Sequence, residues 1–128
     1  MRTIKFRGRC AFSGTWMYGF YYVSKGNHII RDENDKESIV LEKTLGQFTG
    51  LNDKNGKEIY EGDIVTYKRS VGNWTGKFMT TTHKIIFTDE INAFVMEDGS
   101  SYIKLRKHWG YEYEVIGNIF ETPDLVKL

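Results

Sequence analysis

Cysteine is almost absent: Cys10 stands alone among 128 residues. No intramolecular disulfide can form, and a lone thiol fits a reducing compartment. Proline is as scarce, with only Pro123, and no stretch is rich in Ser, Gly and Pro. The chain therefore offers no linker, internal repeat or low-complexity tract, and one domain over residues 1–128 is the simplest expectation. Charge of one sign is missing too. Lys and Arg total 18 against 17 Asp and Glu, a net charge of +1. Bulk charge gives no push toward nucleic acid or membrane, so a charged patch must come from folding. Long apolar runs are absent: nothing approaches the roughly 20 residues of a membrane helix. The start Met1-Arg2-Thr3-Ile4-Lys5-Phe6-Arg7 places charges where a secretion signal needs an apolar stretch. A cytoplasmic protein without a membrane partner is the expectation.

Aromatic residues are abundant, at 15% of the chain, and Tyr and Phe favour strands over helices. Residues 3–9 alternate, with Ile4, Phe6 and Gly8 on one face and Lys5, Arg7 and Arg9 on the other. That period of two marks a strand. Further strands are expected at 15–23, 28–31, 38–41, 45–49, 64–68, 77–88, 92–97, 102–106 and 112–120. Asn55-Gly56 is the strongest turn signal, because Gly lacks a Cβ and Asn tolerates positive φ. Helix signals are thin: a short turn within 41–45, and one turn after Thr122-Pro123-Asp124, read as N-cap, first-turn proline and first-turn acid. The expected fold is all-β: a single barrel-like or strongly folded sheet, partly SH3-like, with at most one or two short helical turns. Its expected core includes Ile4, Phe6, Trp16, Tyr18, Phe20, Ile30, Phe48, Ile64, Ile86, Phe94, Ile103, Leu105, Val115 and Ile119.

Three motifs carry a family resemblance. One is Gly46-Gln47-Phe48-Thr49-Gly50-Leu51 running on to Asn55-Gly56-Lys57-Glu58-Ile59-Tyr60-Glu61-Gly62-Asp63-Ile64-Val65. The others are Ile4-Lys5-Phe6-Arg7-Gly8 with Trp16-Met17-Tyr18-Gly19, and the closing Glu114-Val115-Ile116-Gly117-Asn118-Ile119-Phe120-Glu121-Thr122-Pro123-Asp124-Leu125. In this order they resemble the YopX family of phage and prophage proteins. The resemblance covers the chain in outline, while residues 69–111 carry none of its signature. It implies a phage or prophage source and a mainly β fold, and it transfers no catalytic or binding residue.

Chemistry has little to stand on. His28, His83 and His108 lie far apart, and no pair among them and Cys10 has zinc-ligand spacing. No G-x-S-x-G elbow, P-loop or dinucleotide fingerprint occurs. Arg9 neighbours Cys10, but in a strand the two point to opposite faces, leaving an idle thiol. Glu58, Glu61 and Asp63 cluster around Gly62, where shaping a turn explains them as well as acid–base chemistry does. Neither a metal nor a cofactor is expected.

Cationic rows are the one positive hint. Lys5, Arg7 and Arg9 share a face, as do Tyr102, Lys104, Arg106 and His108, and the acid-free stretch 64–88 adds Lys68, Arg69, Lys77 and Lys84. Cations beside aromatics suit a single-stranded nucleic acid. The same residues also serve as the polar face of a half-exposed sheet. The polar loop 70–76 carries Trp74 at its tip, either as a contact anchor or folded back onto the sheet. Three function classes follow. The first is a non-catalytic accessory protein that binds another protein or itself. The second is a nucleic-acid-binding module. The third is an enzyme with a dispersed carboxylate and histidine site.

Overall fold

Alternating side chains and closely spaced turn residues turn more than half of the described residues into antiparallel strands. The computed structural model describes residues 3–70, 76–99, 101–106 and 112–126. The chain divides into two units, Met1–Gly50 and Leu51–Leu128.

The first unit holds β1 (Phe6–Arg9), β2 (Trp16–Ser24), β3 (Asn27–Arg31), β4 (Glu37–Ile39), a 3₁₀ turn at Glu42–Thr44 and the start of β5 (Gly46–Asn52). Their order in the sheet is β4-β3-β2-β1-β5. Lys25 and Gly26 both adopt positive φ, 52° and 78°, and close the β2–β3 hairpin in two residues. Such a turn matches the twist of the strands it joins. An isolated bridge from Cys10 to Val40 brings the end of β4 back to β1. Met17, Ile30 and Val40 form the core of this unit, with Phe6, Cys10, Tyr21 and Leu45 against them. Each side chain buried this way stabilises the fold by about 1.5–3 kcal/mol.

β5 enters the second unit at Leu51, and the hairpin bond from Asp53 N–H to Lys57 O starts its pairing with β6 (Glu58–Tyr60). A second sheet follows, in the order β10-β9-β8-β7-β11. It contains β7 (Asp63–Ser70), β8 (Phe78–Thr88), β9 (Ala93–Glu97), β10 (Tyr102–Lys104) and β11 (Tyr113–Asn118), the last with a bulge between Val115 and Gly117. Ile59, Val65, Tyr67, Ile85, Met96 and Tyr113 are its core.

The all-β expectation holds; in place of the expected single barrel-like or strongly folded sheet the described strands form two antiparallel sheets, with no closed barrel among them. Three expected core residues are exposed instead: Ile4 at 63%, Tyr18 at 43% and Phe20 at 66%. β2 carries large apolar side chains on both faces, so alternation alone does not choose the buried one; the structure buries Met17 and Tyr21 toward the core. In β8 the fully buried residue is Ile85, with Ile86 only partly covered. At Asn55-Gly56 only Gly56 has positive φ, because the turn spans one residue more than the shortest hairpin allows. Thr122 does not cap the 3₁₀ turn Pro123–Leu125 with its side chain; its hydroxyl bonds Asn118 instead. Trp74 and His108 lie outside the described residues. No helix among the described residues is long and apolar enough to cross a membrane.

Candidate functional site

Strand alternation in β2 sends Met17, Gly19 and Tyr21 to the core side and Trp16, Tyr18, Phe20 and Tyr22 to the other. The result is a row of four rings spaced at about 6.8 Å along the strand. Cross-strand pairing sets cations beside it. Arg9 lies opposite Trp16, Arg7 opposite Tyr18 and Arg31 opposite Phe20. The sequence-predicted row Lys5, Arg7 and Arg9 is therefore one flank of an aromatic surface.

These cations are already engaged with aromatic rings. The Arg7 and Arg9 guanidinium carbons sit 4.7 Å and 5.9 Å from the Trp16 ring centre, and Arg7 is buried. Lys5 Nζ stands 5.6 Å from the ring centre of Phe48. Arg31 sits 5.8 Å from the Tyr22 ring centre and donates to Glu37 Oε1 through Nε at 3.1 Å and Nη2 at 2.7 Å. The Tyr22 hydroxyl donates to the other Glu37 oxygen at 2.7 Å. Tyr22 and Arg31 together hold the Glu37 carboxyl below its ordinary pKa, while Glu37 raises theirs.

An open groove of about 570 Å³ crosses this face. Residues 3–5, residues 16–20 of β2 and residues 31–34 line it. Its lining carries Lys5 and Arg31 against Asp32 and Glu33, so it is close to neutral. The acidic loop is held in shape by Asp32 Oδ1, which accepts from the Asn34 and Lys36 N–H groups at 2.9 Å each.

The remaining predicted site residues belong to the second unit and do not form one row. Alternation places Lys68, Lys84, Tyr102 and Lys104 on the sheet side opposite the core, and Arg106 is exposed beyond β10. Arg69 shares the core side with Val65 and Tyr67, on the opposite face from Lys68. Carboxylates interleave with the rest: Lys84 pairs with Glu97 at 3.7 Å, and Tyr102 donates to Glu90 at 3.0 Å. A second cavity of about 480 Å³ lies here, where Lys68 Nζ sits 4.5 Å from the Phe78 ring centre and Lys54 pairs with Glu114 at 3.5 Å. The β1 row and the β10 row belong to different sheets, so these two strands are not hydrogen-bonded neighbours.

Residues considered for catalysis have local structural partners. Asp63 is buried and accepts the Tyr60 N–H at 2.7 Å. Glu61 lies in the turn before β7. His28 stacks on Tyr21, accepts or donates at 2.6 Å to its hydroxyl, and lies 3.3 Å from Glu42. The Cys10 thiol is pushed below its ordinary pKa chiefly by hydrogen bonds from Ser13. Among the described residues no three of His, Cys, Asp and Glu gather as a metal-holding group.

His83 is buried in the second unit, with Nε2 2.6 Å from the Thr81 hydroxyl. Burial pushes its pKa below the ordinary 6.5; Asp98 raises it and Arg69 lowers it by lesser amounts. The unfolded chain therefore takes up this proton more readily than the folded one. Stability from this group is complete above the ordinary value and falls as pH drops through it toward the folded pKa. Urea midpoints of the wild type are expected to fall between about pH 7.5 and about pH 5.5, and to fall less in His83→Gln. An equal fall in both would clear His83 as a cause.

Sequence reasoning counts Trp16, Tyr18 and Phe20 as core and so misses the aromatic row. The signal lies in Gly19, which leaves the other face of β2 with a gap. No curated protein matches the chain. The crystal structure of protein EF1440 from Enterococcus faecalis is similar over 99% of this chain and 100% of that one, at 23% identity and a TM-score of 0.57, which speaks for the fold. The family model described as YopX protein matches residues 11–127, nearly the whole chain. The chain belongs to the YopX family.

Proposed function

We propose that this is a non-catalytic binding module that grips an extended peptide segment of a partner protein on the outer face of β2. The observation that carries this reading is the exposed aromatic row, with Phe20 at 66% and Tyr18 at 43% exposure, along a groove of about 570 Å³. Aromatic anchors supply most of the energy in such contacts. Nucleic acid is the poorer fit. Guanidinium groups already lie against Trp16 and Tyr22, and the groove lining carries as many acids as bases. Phosphate binding instead needs a surplus of positive charge. The setting that suits the family resemblance is an accessory role for a phage or prophage in the cytoplasm of a bacterial host.

Selection from a random displayed-peptide library tests the reading. The wild type should enrich a consensus that Phe20→Ser fails to enrich, with the circular dichroism of the two chains unchanged. No enrichment, or the same consensus from both, would overturn it. So would a doubled mass by light scattering that Phe20→Ser abolishes, since the face would then be a self-association surface.

A further inference from the structure

We infer that the cavity on the second sheet, on the side opposite its core, binds a free α-amino acid with an aromatic or large apolar side chain. It shares no lining residue with the β2 groove, and its ligand is independent of the peptide proposed for that groove.

The first ground is charge left open inside the cavity. Its volume of about 480 Å³ falls in the range of small-molecule sites. Two of its charges, Lys54 and Glu114, are paired with each other at 3.5 Å. Two remain. Tyr67 of β7 pairs with Tyr113 of β11; Lys68 lies one residue after the first and Glu112 one residue before the second, and both line the cavity. They form no ion pair. Among the described residues the Glu112 carboxylate has neither a hydrogen bond nor an ion pair, and Lys68 Nζ has only the Phe78 ring. Thr66 shares the Lys68 side of β7, and Thr80 pairs with Lys68 from β8. Both hydroxyls line the cavity without a hydrogen-bond partner among the described residues. A ligand of one charge alone is repelled by either Lys68 or Glu112. A ligand that bears both charges satisfies both, and the hydroxyls add donors and acceptors.

The second ground is the ring. Phe78 opens β8 with 57% of its surface exposed, and Lys68 Nζ stands 4.5 Å from its centre. A carboxylate held by Lys68 therefore lies beside an apolar surface. An α-amino acid carries its ammonium, carboxylate and side chain on one carbon. With the carboxylate on Lys68 and the ammonium on Glu112, the side chain is left to pack on Phe78, where an aromatic or large aliphatic group gains most. The ends of a peptide meet only half of this requirement. An amino-terminal residue has an amide in place of its carboxylate, and a carboxyl-terminal residue has an amide in place of its ammonium. The two opposite charges together select the free amino acid.

Amide-resolved NMR titration of the full chain tests this with four probes: L-phenylalanine, phenylalanine amide, N-acetylphenylalanine and adenosine monophosphate. L-Phenylalanine should shift the amides of Thr66, Lys68, Thr80 and Glu112 and bind roughly fivefold tighter than either blocked form. Lys68→Gln should erase its advantage over phenylalanine amide and keep its advantage over N-acetylphenylalanine; Glu112→Gln should do the reverse. Neither substitution removes a hydrogen bond or ion pair that the described fold uses. Phe20→Ser should leave all of these values unchanged, so failure here and failure of the peptide-binding reading are separable. No shift with L-phenylalanine up to its solubility limit, equal binding of its three forms, or variants that keep both preferences would overturn the inference. So would binding of adenosine monophosphate alone, which would make the cavity a nucleotide site.

Discussion

Replacing Gly19 with alanine is expected to cost roughly 3 kcal/mol of stability, enough to lower the melting temperature by about 10 °C. Gly19 sits in the middle of β2 with φ at +152°, outside the range that side chains favour. A Cβ there would overlap the Arg31 carbonyl oxygen and lie 2.9 Å from the carbonyl carbon. Both are backbone atoms of the neighbouring strand, so no side chain can swing aside. Backbone strain contributes about 1–3 kcal/mol, and forcing the strands apart a similar amount. Gly26 provides the control. Its φ of +78° also disfavours a side chain, but nothing lies within 4 Å of a Cβ there. Gly26→Ala should cost only about 1–2 kcal/mol. Thermal melts followed by circular dichroism compare the two; equal losses would mean that the close approach of β3 to Gly19 is not what requires glycine.

Asp53→Ala is expected to destabilise the second unit by about 3 kcal/mol. One buried carboxylate there accepts three backbone amides. Oδ1 takes the Asn55 and Lys57 N–H groups at 2.8 Å and 2.9 Å, and Oδ2 takes the Val115 N–H at 2.9 Å. The first two shape the turn between β5 and β6. The third fastens that turn to β11, beside the bond from Lys54 N–H to Tyr113 O at 2.9 Å. Alanine leaves all three donors without this acceptor. The milder change Asp53→Asn would keep the turn bonds through its one oxygen and turn an NH₂ toward the Val115 amide, so an intermediate loss is expected. Urea titration gives the sizes, and amide exchange at Val115 should quicken in both variants. A loss in Asp53→Ala below about 0.5 kcal/mol would show that water replaces the carboxylate at little cost.

Strand positions are legible in this chain because its turns are marked by glycine and acidic residues. Gly56, Gly62 and Gly99 adopt positive φ at points where strands end or begin. Faces are less legible. In β1, Phe6 turns to the core as alternation predicts, yet the opposing Arg7 is buried as well, against Trp16. In β2 both faces are aromatic, and in β9 Val95 and Met96 are adjacent and fully buried, so a period of two carries no information there. The candidate site is half visible in the sequence. Lys5, Arg7 and Arg9 share a face by alternation, but the aromatic row beside them looks like core until β3 is seen to pair with the same strand. Asp53 is invisible as a fastener because its third bond reaches across 62 positions of sequence.

An NMR titration that follows each backbone amide, using a peptide selected on the wild-type chain, tests the binding claim most directly. Shift changes are expected to centre on Tyr18, Gly19 and Phe20 and on residues 31–34, which line the groove. Changes centred instead on Lys68, Lys84 and Lys104 in the second unit, with the β2 amides unmoved, would contradict it.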